Sequence, residues 1–175
     1  MSQEKNCPAF APLGRFRGEE NLLSPQYQTL AKSILDLLGD ERDFLANTAN
    51  IAAVLYQELP EVNWAGFYLL KGQDLVLGPF QGKPACTRIG PGRGVCGAAA
   101  QKRATVVVEN VKEFPGHIAC DGASKSEIVI PMVRSGRLIG VLDLDSPILA
   151  RFNDVDRAGL EEVVRLLLET SDDDN

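Results

Sequence analysis

The residues best equipped for chemistry in this chain of 175 residues are its four cysteines, Cys7, Cys86, Cys96 and Cys120. None forms a C-x-x-C pair and the single histidine is His117, so a four-ligand structural zinc site would need unfamiliar ligand spacing. An isolated thiol in a reducing compartment is usually a small buried hydrophobe, and its neighbours must argue for anything more. Cys120 has such neighbours. It lies in residues 109–124, a stretch without hydrophobic period that reads as a functional loop. His117, three residues earlier, either lowers the pKa of Cys120 or is an ordinary loop histidine, and the ordinary reading is preferred.

Three other patterns carry potential chemistry. Gly92-Arg93-Gly94-Val95-Cys96-Gly97 fits the dinucleotide fingerprint G-x-G-x-x-G. Its context does not, because Pro91 interrupts the approach and the helical stretch that follows ends within about two turns. What remains is a glycine-rich turn into a helix N-terminus, whose N–H groups can hold an anion such as a substrate carboxylate. Asp143 and Asp145, two apart at the end of an apolar strand, point to one face. They are a solvated pair, a metal-binding D-x-D, or, if crowded with Glu127 in a pocket, the source of a carboxyl still protonated near neutral pH. Trp64 and Tyr68, four apart, also share a strand face, with core packing as the simplest reading.

The elements that must position these residues are legible from periodicity and punctuation. Ser24-Pro25 starts a helix whose inner face is Leu30, Ile34, Leu37 and Leu38, ending at Gly39. A second helix is expected over 41–59, with Phe44, Leu45, Ile51, Val54 and Leu55 inward and Pro60 stopping it. Residues 62–70 and 75–80 read as a strand pair around Lys71-Gly72-Gln73. A short helix over 95–102 and a strand over 105–108 follow, then strands over 127–133 and 137–144 joined by Ser135-Gly136. Asn153 caps a last helix reaching about Glu169, with Val155, Leu160, Val163, Val164 and Leu167 inward. This order lacks the alternation of a parallel sheet and predicts an α+β domain, an antiparallel sheet with helices packed on it.

Composition narrows the partners. With 45% hydrophobic residues the chain can build one core, while 18 basic against 24 acidic residues give a net charge of −6, the wrong sign for gripping nucleic acid. No stretch approaches the roughly 20 apolar residues of a membrane span and no signal-like run opens the chain, so a cytoplasmic protein is expected.

Six blocks, Asn63-Trp64-Ala65-Gly66-Phe67-Tyr68, Leu77-Gly78-Pro79-Phe80-Gln81-Gly82, residues 92–97, Gly116-His117-Ile118-Ala119-Cys120-Asp121, Ser126-Glu127-Ile128-Val129 and residues 140–146, together resemble the free methionine-(R)-sulfoxide reductases. These are stand-alone GAF-domain enzymes, and the likeness covers roughly residues 25–170. The resemblance implies a single GAF domain over 23–171, leaving residues 1–22 as a flexible extension and 172–175 as an acidic tail. It further implies reduction of free L-methionine-(R)-sulfoxide, with Cys120 as nucleophile, Cys86 as its main resolving partner and Cys96 as a second cysteine able to join the exchange. Trp64 and Tyr68 would receive the substrate methyl group, and Glu127, Asp143 and Asp145 would bind and polarise the substrate. Glu127 and Asp145 would stabilise the sulfoxide oxygen and Asp143 the ammonium group. No bound cofactor or metal is implied; thioredoxin would be the external dithiol reductant, and the enzyme would be a homodimer. The alternative is a GAF module that senses a small ligand or redox state without turnover.

Overall fold

Serine before proline does start the first helix. In the computed structural model, which describes residues 23–117 and 122–172, α1 (Pro25–Leu38) opens with the Ser24 hydroxyl accepting from the Tyr27 N–H. It closes at Gly39, whose φ of 52° is a conformation suited to glycine and whose N–H donates to the Leu35 carbonyl. In α2 (Phe44–Glu58) the cap is Asp43. The expected start at residue 41 shifts because the Glu41 carboxylate accepts from the Arg42 and Asp43 N–H groups and holds them in a turn before the helix.

Two inward assignments on these helices need correction, for Leu37 is 49% and Leu45 56% exposed. Each sits at the flank of its stripe, about 100° per residue carrying it past the line through Ile34 or Ile51. The chain then enters the sheet through β1 (Trp64–Lys71) and β2 (Asp74–Gly82), turning at Gly72 with φ 67°. A two-residue strand, β3 (Arg88–Ile89), is too short for any periodicity to announce. After α3 (Gly94–Lys102) come β4 (Val106–Val108) and a 3-10 turn at Val111–Glu113. β5 (Ser126–Arg134) and β6 (Arg137–Ser146) form a hairpin in which Ser135 and Gly136 both have positive φ, as a primed two-residue turn requires.

The last helix, α4 (Asp154–Thr170), begins with a capping box between Asn153 and Asp156. Val155, expected inward, is exposed, because Asp156 takes the inward position in the first turn. There the Asp156 carboxylate accepts from the Tyr27 hydroxyl and pairs with Arg151.

The sheet order is β3-β2-β1-β6-β5-β4, with every neighbouring pair antiparallel. One face carries Ala65, Phe67, Ile128, Ile130, Leu142 and Leu144 into a core shared with α1, α2 and α4. The opposite face carries Trp64, Tyr68, Val129 and Val141 into a second cluster with Val95, Cys96 and Ala99 of α3. The α+β expectation holds, and the second face is where the candidate chemistry collects. At the far end of the chain Asp172 pairs with Arg42 at 2.7 Å, while Cys7, the 1–22 extension, Cys120 and residues 173–175 lie outside the described residues.

Candidate active site

Alternation decides which face a side chain takes, and strand register decides its neighbours. Across β1 and β6, Trp64 lies opposite Asp145 and Gly66 opposite Asp143; across β5 and β6, Glu127 lies opposite Asp145. Trp64, Asp145 and Glu127 therefore form one cross-strand row, with Asp143 in the next row on the same face. These residues line a single cavity together with Tyr68 and Cys96.

Its wall is aromatic. Gly66 leaves the space into which the Trp64 indole folds: a Cβ there would stand 2.7 Å from the indole and 2.4 Å from Phe80 Cβ. The indole stacks between Phe80, at 5.4 Å, and Tyr68, at 5.9 Å between ring centroids. Such a slot suits a small apolar group with a polarisable sulfur beside it.

Its floor is acidic and buried. The Cys96 thiol donates to Asp143 Oδ2 at 3.2 Å, and the other Asp143 oxygen is buried without a hydrogen-bond partner among the described residues. Cys96 Sγ and one oxygen each of Glu127 and Asp143 lie within 4.8 Å of one another, the grouping among the described residues that could hold a metal ion or an ammonium group. Burial, reinforced by Asp143 and Asp145, raises the Glu127 carboxyl well above the ordinary carboxylate range. Burial pushes Asp143 up to about 7, against the hydrogen bonds from Cys96 and Glu127 that favour its charged form. The Cys96 thiol is raised as well, by burial first and Asp143 second, which keeps it protonated and a donor. Near neutral pH Glu127 is thus held as a carboxylic acid while Asp143 sits close to its midpoint, the third of the alternatives for the D-x-D pair.

Two further groups line the cavity, His117, weighed above only as a neighbour of Cys120, and Ser124, which no sequence pattern singled out. His117 lines the cavity with Nε2 3.7 Å from Glu127 Oε2, and burial lowers its pKa, so it is neutral near pH 7. It stands at the site itself, beyond the ordinary loop role preferred for it. Ser124, also in the lining, accepts from the Asn63 side chain at 3.2 Å. Neither position has a periodicity to mark it; the proximity of His117 to Cys120 in sequence was the one available signal. Gly94 and Val95, in the first turn of α3, present N–H groups that have no acceptor within the helix, and the N-cap Arg93 makes no side-chain capping bond. That turn can take an anion, as the glycine pattern suggested.

Of the cysteines, Cys96 is free and buried, while Cys86 is disulfide-bonded in the loop after β2. Pro84 and Ala85, just before Cys86, line the same cavity. Cys120 falls outside the described residues, between His117 and Ser124 of the lining.

The sequence and fold have counterparts among known proteins. Residues 41–168 match the GAF domain family model. The chain is 53% identical to Protein YtsP of Bacillus subtilis over 143 residues, 81% of this chain and 88% of that protein. It is 52% identical to the free methionine-R-sulfoxide reductase of Escherichia coli over 141 residues, 81% and 86% of the two chains. The structure of free methionine-R-sulfoxide reductase from Neisseria meningitidis in complex with its substrate superposes with a TM-score of 0.80 at 48% identity, covering 82% of this chain and 87% of the other. The chain belongs to the free methionine-R-sulfoxide reductases, enzymes of the GAF domain family.

Proposed function

We propose that this chain reduces free L-methionine-(R)-sulfoxide to methionine by cysteine chemistry, with Cys120 as nucleophile and Cys86 as resolving thiol. The observation that carries the reading is the cavity that joins an aromatic slot to buried carboxyls, Glu127 among them held protonated, with the disulfide-bonded Cys86 one residue beyond its lining. Sulfoxide sulfur is a weak electrophile until its oxygen is hydrogen-bonded or protonated, and an acid held neutral by burial can do this. Glu127 is that acid, with Asp145 beside it in the same row. Asp143, whose second oxygen has no hydrogen-bond partner among the described residues, takes the substrate ammonium, and the first turn of α3 takes its carboxylate.

The Cys120 thiolate attacks the sulfoxide sulfur. The oxygen passes to the cysteine, the sulfoxide sulfur gains two electrons, and methionine leaves an enzyme sulfenic acid. Cys86 condenses with it, releasing water and closing a disulfide. A dithiol, thioredoxin in this reading, then exchanges with the disulfide and returns both thiols. Cys96 is the reserve thiol, although its burial and its bond to Asp143 make it the slower nucleophile. The catalytic unit in this reading is a cytoplasmic homodimer. No helix among the described residues is long and apolar enough to cross a membrane.

The deciding experiment offers three substrates with dithiol: free L-methionine-(R)-sulfoxide, its S epimer and a peptide-bound methionine sulfoxide. Methionine is expected from the free R epimer alone and none from Cys120→Ser. Absence of turnover on all three, as a GAF sensor module would give, overturns the reading.

A further inference from the structure

The aromatic wall of the cavity is also what holds the loop that bears Cys86. That loop, residues 83–87 between β2 and β3, is exposed at Lys83, Pro84 and Thr87 and only half-buried at Ala85 and Cys86. Apolar burial therefore does little to fix it. Besides the disulfide of Cys86, two polar contacts from β1 hold it: Trp64 Nε1 donates to the Lys83 carbonyl at 3.1 Å, and the Tyr68 hydroxyl donates to the Cys86 carbonyl at 3.0 Å. The chain enters the loop pressed against the indole, since a Cβ on Gly82 would lie 2.7 Å from Trp64 Cδ1. On the far side of Cys86, the Thr87 carbonyl accepts from the Leu77 N–H and returns the chain to the sheet.

We propose that Trp64 and Tyr68 are positioning residues for the resolving thiol: their rings form the pocket wall while their N–H and O–H groups clasp the backbone on either side of Ala85, presenting Cys86 for disulfide closure. The two rings stack on each other, so the clasp is one rigid unit built on β1. The Tyr68 hydroxyl is well suited to this, because burial, with Asp143 next in weight, keeps it protonated and a donor far above neutral pH. In the proposed cycle, which this role deepens, the same two side chains would feel substrate and place the thiol that finishes its turnover.

The clasp is tested without turnover. The disulfide of Cys86 is equilibrated with glutathione buffers, with no substrate present, and the dithiol fraction is read by thiol alkylation and mass spectrometry. A net hydrogen bond is worth about 1 kcal/mol, so Tyr68→Phe should shift the equilibrium about fivefold toward the dithiol. Trp64→Phe, which keeps a ring and removes the other donor, serves as the second variant and should shift it in the same direction. An equilibrium unchanged from the parent in either folded variant overturns the proposal. The measurement stands whether or not methionine sulfoxide proves to be the substrate, so failure of the clasp and failure of the functional reading are separable.

Discussion

Glu127 and Asp143 are buried acids whose usefulness works against the stability of the fold that holds them. Both have folded-state pKa values above those of an unfolded carboxyl, near 4, and for Asp143 the folded value is about 7. Between those limits the folded chain binds more protons than the unfolded one. Their contribution to stability is therefore complete below about pH 4 and is lost as pH rises through the folded values. Glu127→Gln keeps the shape of the side chain and removes its ionisation. It should raise Tm by about 3–5 °C at pH 8 relative to the parent and change it little at pH 4. The same variant should turn over slowly and lack the alkaline fall expected of the parent when its acid ionises. Parallel melting curves and a pH–rate profile check both halves, and an unchanged rate and profile would remove Glu127 from the acid role.

At the scale of elements, the cavity depends on the Trp64 indole folding back over β1, and Gly66 is the residue that leaves room for it. Gly66→Ala would drive a methyl group into Phe80 and the Trp64 ring. The expected loss is ~2–3 kcal/mol, seen as a lower urea midpoint. Trp64 is the only tryptophan, so its near-UV circular dichroism should weaken in parallel if the stack is what suffers. The pairings Trp64/Tyr68 and Asp143/Asp145 were legible because strand alternation is a local property. That these two pairs share a face with each other was not, since β1 and β6 are not consecutive, and that Glu127 joins them was not, since the irregularity between Met132 and Val133 shifts the β5–β6 register by one residue and sets Glu127 opposite Asp145. Helix boundaries and caps were equally local and are found at Ser24, Gly39 and Asn153. Leu37, Leu45 and Val155 misled because a helical stripe has edges, and what covers an edge is decided by other elements. Asp156 shows the converse, a charged residue turned inward because a tyrosine from distant α1 and an arginine five residues before it meet it there.

In the whole molecule the sheet separates two tasks: α1, α2 and α4 stabilise one face, while the other face carries the site under α3. The helical side is pinned where Asp156 accepts from Tyr27 Oη at 2.9 Å and from Arg151 Nη1 at 3.0 Å. Arg151 also donates to the Pro60 carbonyl, so one buried cluster ties α1, the α2–β1 connection and α4 together. Removing one partner of a buried pair leaves the other charge uncompensated, which costs about 3–5 kcal/mol. Asp156→Ala would strand the Tyr27 hydroxyl and the Arg151 guanidinium and also break the capping box of α4. The urea midpoint should fall by an amount in that range while the slope m stays unchanged, because the folded surface is the same. The KM for substrate should hold at the parental value, since the cluster lies across the sheet from the cavity and shares no residue with it. A loss below about 1 kcal/mol would mean that hydrophobic packing alone joins these helices, whereas a changed KM would mean that the two faces of the sheet are coupled.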